Sequence, residues 1–573
     1  MNILGLNAFT DSSVAIVKGG KIIRAVEEER LNRVKHYEGT PWLALNECLK
    51  IGNMFLRDID VIAIGWNPLL GWKTRIVETF KSMFRMPDAF IGKVSRGRGY
   101  VKGCREILRL KKSLTRMFTK SEVKLKIIFV EHHLAHAASA FLVSPYEVAD
   151  IMVADGVGEY ATISFFIGEG SNLRRIGRIK FPHSLGHLYA SVTRFLGFRM
   201  TYDEGKVMAL AAFGEDNYHD LFSKLVRINW ARKTVEIDTK LLDYHAARNG
   251  VFSKEWLKLT GMISRRRNEP LTQKHKDLAR SLQTCVEKAI FSLLRMYFPV
   301  RQRALCAAGG LFLNSVMNGK ILQDCREQLF VQPAAGDNGV SLGAALYVSS
   351  LRERNFRRHP LVNVYLGRKF RDQEIRVALD IHSISPQTSN NIFSETANFI
   401  AQGKVVGWFM GSVEFGPRAL GNRSILASPI DTKMKDTVNF KVKHREGFRP
   451  FAGSVILEEA SEYFKDVQES PYMLKVFHFK KKYRNVFPAI SHIDFSCRIQ
   501  TVTQRQNLDL YKLLKEVRKK MGYGIVLNTS MNLGGEPIVN TPTEAIQLIS
   551  KTDLDIMILD KYIIRKQDVV NGA

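Results

Sequence analysis

Short apolar runs and sharp polar turns open the chain. Ile3-Leu4-Gly5-Leu6 and Ser13-Val14-Ala15-Ile16-Val17 precede a Lys18-Gly19-Gly20 turn, and the chain resumes as Lys21-Ile22-Ile23-Arg24-Ala25-Val26. This spacing predicts an antiparallel meander. Further strand-like runs stand at Val61-Ile62-Ala63-Ile64, Lys126-Ile127-Ile128-Phe129-Val130 and Ile151-Met152-Val153-Ala154, and a helical period runs from Leu278 to Tyr297. Alternation of this kind predicts an α/β fold, a mixed sheet flanked by helices. Around Arg352 to Leu366 the pattern lapses into a charged, polar stretch, so a first domain over 1–355 and a second over 366–573 are expected.

Composition narrows the class. With 45% hydrophobic residues in 573, the chain has enough apolar surface for several compact units. The six cysteines are scattered and form no C-x-x-C pair, which argues against a disulfide framework and a thiolate zinc site. No apolar run approaches the roughly 20 residues of a bilayer span, and Met1 leads directly into the first strand without a basic leader. A cytoplasmic location is expected. The net charge of +29 raises nucleic acid, an anionic surface or phosphorylated substrates as partners. Much of it lies within 73–126, where apolar residues recur near helical spacing. That segment reads either as a helical insertion docked on the core or as a basic amphipathic helix making peripheral contact with an anionic surface.

Three groups of residues carry candidate chemistry. In Glu131-His132-His133-Leu134-Ala135-His136 a helix puts His132 and His136 one turn apart on one face and turns His133 away. The pair reads as structural or as metal-ligating. Asp155-Gly156 and Gly336-Asp337-Asn338-Gly339 each set a carboxylate at a glycine-bounded turn after an apolar segment, where α/β proteins hold ligands. Two imidazoles and two carboxylates suit one divalent ion, iron, zinc or manganese rather than calcium.

Glycine-rich stretches at Ala307-Ala308-Gly309-Gly310-Leu311-Phe312-Leu313-Asn314 and Asp203-Glu204-Gly205-Lys206 are candidates to receive a nucleotide, although no Walker P-loop is present. Glu414-Phe415-Gly416-Pro417-Arg418-Ala419-Leu420-Gly421-Asn422-Arg423 builds an irregular loop around two guanidinium groups. Lys443, Arg445, Arg449 and Arg498 add cations able to grip a phosphate or carboxylate. Asn528, Thr529, Ser530 and Asn532 follow a buried-strand pattern and offer hydrogen bonds to a small planar or anionic group.

The segments EFGPRALGNRSIL, VKHREGFRPFAGSV, HIDFSCRIQTV and LNTSMNLGGEPIVNTP, in that order, resemble the O-carbamoyltransferase family of the nodulation-factor and antibiotic-tailoring type. The resemblance implies a duplicated actin-like ATPase fold followed by a YrdC-like α/β domain. It further implies that carbamoyl phosphate and ATP, with Mg, yield a carbamoyl-adenylate whose carbamoyl group passes to a hydroxyl of a sugar or related acceptor. By position, Arg418, Lys443, Arg449, Arg498, Asn528 and Ser530 match the carbamoyl-phosphate pocket, and His132, His136, Asp155 and Asp337 match the metal site, with iron the first expectation. Lys206, Gly309, Gly310, Asn314 and Arg423, together with Asn528 and Ser530, are the expected nucleotide and cofactor contacts. The family usually carries His-Asp in its first turn. Here Thr10-Asp11 stands instead, so Asp11 is expected to serve on the acceptor side. Gly453 replaces a usual Pro and Ala209 a common Gly, both small backbone changes. Nucleic acid is not expected as a partner; a threonylcarbamoyl-type tRNA-modifying or RNA-binding protein is the alternative.

Overall fold

The computed structural model describes residues 1–71, 108–115, 126–243 and 251–570. The basic stretch at 73–126 therefore lies outside the described residues, apart from 108–115, which are helical and bury Leu110 and Leu114, and Lys126. The chain divides into two compact units, Met1–Glu28 with His36–Pro360, and Glu29–Lys35 with Leu361–Ala573.

In the first unit the predicted meander is β1 (Asn2–Asn7), β2 (Ser13–Lys18) and β3 (Lys21–Glu27), and β4 (Val61–Ile64) and β5 (Lys126–Phe129) extend it in parallel. Its strand order is β3-β2-β1-β4-β5. A second meander, β6 (Val148–Ala154), β7 (Ala161–Glu169) and β8 (Asn172–Lys180), precedes two small hairpins. These pair β9 (Val226–Asn229) with β10 (Thr234–Ile237), and β11 (Leu242–Asp243) with β12 (Val251–Phe252). Then β13 (Leu305–Ala308) and β14 (Leu329–Val331) run parallel to β6, in the order β14-β13-β6-β7-β8. Each sheet is thus a three-stranded meander whose first strand continues into two parallel neighbours. This is the duplication expected of an actin-like ATPase fold.

The meanders turn on matching glycines. Gly19 and Gly20 form the two-residue loop between paired Lys18 and Lys21 with φ of +59° and +76°, the left-handed values that a tight hairpin requires. Gly170, at φ +56°, serves the corresponding turn between β7 and β8.

Two other glycines set helix packing. A Cβ at Gly5 would lie 1.9 Å from the Ser341 carbonyl oxygen, and one at Gly343 would lie 1.8 Å from that of Ala135. The helix Val340–Arg352 can therefore press against β1 and against the helix His132–Phe141. Asp337, in the short turn before Val340–Arg352, is carried toward the histidine helix as a result.

The second unit holds one nine-stranded mixed sheet. Its strands are β15 (Gln387–Thr388), β16 (Val406–Phe409), β17 (Arg423–Ala427), β18 (Ala452–Ile456), β19 (Val476–His478), β20 (Ser496–Val502), β21 (Ile525–Ser530), β22 (Ile556–Leu559) and β23 (Tyr562–Arg565). They lie in the order β15-β23-β22-β16-β17-β21-β18-β20-β19. Trp408, Val526, Leu513, Leu514 and Ile400 pack one core between this sheet and the helices Ile392–Ala401 and Leu508–Met521. Burying these apolar side chains fixes the central strands β17, β21, β18 and β20 as neighbours in the sheet.

Candidate active site

In the first unit, His132 and His136 lie one turn apart on their helix, as their spacing predicts, with Nε2 atoms 3.1 Å apart. Asp155 Oδ2 is 3.2 Å from His132 Nε2 and 3.7 Å from His136 Nε2; Asp337 Oδ1 is 3.4 and 3.6 Å from the same atoms. A tetrahedral ion with ligands at about 2.1 Å requires donor atoms roughly 3.4 Å apart. The four side chains therefore fit a small divalent cation. Burial lowers the His132 pKa, but Asp337 and Asp155 outweigh it and hold the imidazole well above its ordinary range. Burial raises Asp155, yet His132 and His136 outweigh it and hold the carboxyl well below. Both shifts say that the cluster demands positive charge at its centre, as a proton or as a metal. His133 points elsewhere, its Nδ1 2.9 Å from Ser164 Oγ.

Asp155 follows β6 directly, and Gly309 and Gly310 follow the neighbouring β13, so both stand at the carboxyl ends of adjacent parallel strands. Gly309, at φ +97°, lets the turn run so close to β6 that a Cβ would lie 2.2 Å from the Ala154 carbonyl oxygen. Gly310 donates its N–H to Asp155 Oδ1 at 3.2 Å. The loop therefore orients one of the four candidate metal ligands. Asn314, expected at a nucleotide, is spent on structure: its Oδ1 caps the helix Ser315–Asp324 at Met317 N (3.0 Å), and its Nδ2 donates to Gln283 Oε1 (2.8 Å). Lys206 Nζ lies 3.1 Å from Asp203 Oδ1.

Asp11 sits in the turn between β1 and β2 with φ +52°, and its Oδ1 is 2.7 Å from His36 Nδ1. Neither sequence spacing nor periodicity brings this pair together.

In the second unit, Arg418, Lys443, Arg445, Arg449 and Arg498 form one cationic group. Burial lowers the Arg418 pKa well below the usual guanidinium range, and Arg498 and Arg449 push the same way. Arg445 is lowered likewise, by burial first and then by Arg449 and Arg498, with Glu446 opposing. Arg498 is brought down to about 10, mainly by burial. Among the described residues, Nε of Arg418 and Nε of Arg498 are buried donors without a partner. Lys443 is lowered by burial and by Arg445, Lys35 and Arg449, and its Nζ donates to Ser530 Oγ (3.2 Å), Asn532 O (3.0 Å) and Asn532 Oδ1 (2.6 Å). Asn528 anchors its Nδ2 on Ser454 Oγ at 2.8 Å, leaving a buried Oδ1 without a donor among the described residues. Like charges packed together, with buried Nε donors left unpaired, form a group chemically able to hold an anion.

Arg423 does not join them. Fully buried at the start of β17, it donates to Met410 O (2.7 Å), Asn422 O (2.9 Å) and Gly411 O (3.3 Å), with its guanidinium 3.5 Å over the Phe409 ring. Arg423, expected at a ligand, holds the loop that presents Arg418, and its Nε is a further buried donor without a partner among the described residues.

Residues 2–346 match the family described as Carbamoyltransferase N-terminus, and 397–566 match Carbamoyltransferase C-terminus. The chain belongs to the carbamoyltransferase family. This carbamoyltransferase is 37% identical, over 99% of its length and 97% of the relative's, to an uncharacterised protein of Synechocystis. It is 36% identical to nodulation protein NolNO of Sinorhizobium fredii, over 97% of this chain and 79% of that protein. With nodulation protein NolO of Bradyrhizobium diazoefficiens the identity is 37%, over 76% of this chain and 79% of that protein. Among solved structures, HypF of T. kodakarensis aligns at a TM-score of 0.32 and 14% identity, over 62% of this chain and 48% of that one.

Two buried carboxylates of the carbamoyltransferase support its candidate sites and escape sequence reading. Glu159 accepts the N–H of His132 at 3.0 Å and that of Asn67 at 2.8 Å, capping the histidine helix. Glu414 Oε1 accepts from the N–H groups of Leu420 (2.9 Å), Asn422 (2.8 Å) and Arg423 (3.1 Å), folding the arginine loop around itself. Glu414 lies in a segment whose sequence signal was its arginines, and Glu159 stands 27 residues from the histidine it supports.

Proposed function

We propose that this carbamoyltransferase uses ATP to activate the carbamoyl group of carbamoyl phosphate and passes it to a hydroxyl of a sugar or related acceptor. The observation that carries the reading is the half-buried group Arg418, Arg445, Arg449 and Arg498, whose mutual repulsion a dianionic phosphate would relieve. Asn528 Oδ1 supports it, because a carbamoyl NH2 would supply the donor this acceptor lacks.

Atom balance fixes the outline. Carbamoyl phosphate loses phosphate to water, the resulting carbamate oxygen bonds to the α-phosphorus of ATP, and pyrophosphate departs with the bond it leaves. Cations around the phosphate stabilise the charge released at each cleavage. The acceptor oxygen then bonds to the carbamoyl carbon and AMP leaves. His132, His136, Asp155 and Asp337 would hold one divalent cation, which when bound supplies charge stabilisation for phosphoryl and carbonyl oxygens. Lys206, Gly309 and Gly310 are offered as the nucleotide-side contacts, with Mg accompanying ATP.

The test is to incubate the protein with ATP and 14C-labelled carbamoyl phosphate and to quench within one turnover. Recovery of a labelled adenylate species, dependent on both substrates, is expected; label confined to carbamoyl phosphate and its hydrolysis products contradicts the reading.

A further inference from the structure

The hydroxyl to be carbamoylated must lose a proton as its oxygen bonds to carbon. Thr10, in the first turn, has no basic nitrogen to accept it.

The structure supplies an imidazole from elsewhere in the chain. His36 Nδ1 lies 2.7 Å from Asp11 Oδ1, and both residues take left-handed backbone conformations, φ +53° and +52°. Two non-glycine residues in that region mark a pairing that the surroundings impose. Those surroundings are visible. Ser12 donates its N–H to the Tyr37 carbonyl at 3.2 Å and its hydroxyl to the Gly39 carbonyl at 2.6 Å, stitching the segment after His36 to the turn that holds Asp11. Asn7 Nδ2 donates to the carbonyls of Thr10 (2.8 Å) and Asp337 (2.9 Å), fixing that turn beside the carboxylate cluster. A Cβ added to Gly336 would lie 3.7 Å from Asp11 Oδ2, which marks the same proximity. Tyr202 closes the other side, its ring edge-on to His36 at 4.5 Å between centroids. The side chains of His36 and Asp11 are 21% and 26% exposed, so the pair is held in place yet reachable.

We propose that His36 accepts the proton of the acceptor hydroxyl and that Asp11 positions it. An ionised carboxylate only accepts hydrogen bonds, so it holds the proton on Nδ1 and makes Nε2 the basic nitrogen. As the acceptor oxygen bonds to the carbamoyl carbon, its proton passes to Nε2. The bond from that carbon to the adenylate oxygen breaks, with its electron pair going to AMP. Asp11, expected to take the proton itself, becomes the positioning residue. This inference rests on the carbamoyl-adenylate reading above.

Water serves as the test hydroxyl, since its attack on the adenylate gives carbamate and AMP. With ATP and carbamoyl phosphate, the first-turnover burst of pyrophosphate reads adenylate formation, and steady-state AMP release reads the attack. In His36→Ala the ratio of turnover to burst is expected to fall by about 100-fold or more, with partial recovery on adding imidazole. Asp11→Asn is expected to lower the same ratio without imidazole rescue, and His36→Gln guards against a folding defect in the alanine variant. An unchanged ratio in both His36 variants overturns the assignment, as does a burst that falls in step with turnover. Absence of the burst in the unaltered protein contradicts the adenylate reading itself.

Discussion

His132 and His136 bring their Nε2 atoms to 3.1 Å of one another, with one oxygen each of Asp155 and Asp337 within 3.7 Å of both. Two imidazole lone pairs so close repel unless a proton or a cation stands between them, and the carboxylates complete a cage of matching size. The unaltered protein is therefore expected to purify with close to one divalent ion per chain. His136→Ala and Asp337→Ala are each expected to fall below about a tenth of that, because a four-ligand site seldom keeps its ion after losing one member. Elemental analysis decides it, and full occupancy in both variants removes the metal assignment.

The helix bearing those histidines depends on a missing side chain. Gly343→Ala would set a Cβ 1.8 Å from the Ala135 carbonyl oxygen, forcing the two helices apart. A loss on the order of 1–3 kcal/mol of stability is expected from such overpacking. Metal content should fall with it, since His132 and His136 move while Asp155 stays on its strand. Denaturant unfolding and elemental analysis on the same preparation check both parts.

Lys475 makes a prediction that is independent of function. It is 8% exposed, its Nζ donates to the Glu469 carbonyl at 3.0 Å, and burial pushes the ammonium down to about 8 with Glu469 opposing. Its folded pKa lies below the unfolded one, so its charge costs stability in full below pH 8, and the cost fades as pH rises through 8 toward 10.5. Lys475→Met is expected to gain on the order of 3 kcal/mol at pH 7 and to lose that advantage above pH 10. Denaturant midpoints at the two pH values measure it, and an equal gain at both would show that the charge is not the cause.

Local periodicity made much of this legible. The meander over β1 to β3, the helical His132 and His136, and Asp155 at a strand end follow from rules spanning at most a few residues. Arg418 and Arg423 were indistinguishable by the same rules. Every residue of β17 is buried, so no alternation along Arg423–Ala427 marks which side chain turns inward. Asn314 had a readable alternative, because asparagine ahead of Ser315–Asp324 is a favoured helix cap. The Asp11–His36 pair spans 25 residues and is made by two left-handed backbone positions that no hydrophobic pattern reports.

The central claim, that the half-buried arginine group binds carbamoyl phosphate for adenylate formation, is tested most directly by initial rates of pyrophosphate release in Arg418→Ala. The unaltered protein should release pyrophosphate only when both ATP and carbamoyl phosphate are present. Arg418→Ala should be slower by about 100-fold or more at equal folded concentration, because a charge-assisted contact to a desolvated phosphate is lost. Release by the variant at the rate of the unaltered protein, or release without carbamoyl phosphate, would contradict the account.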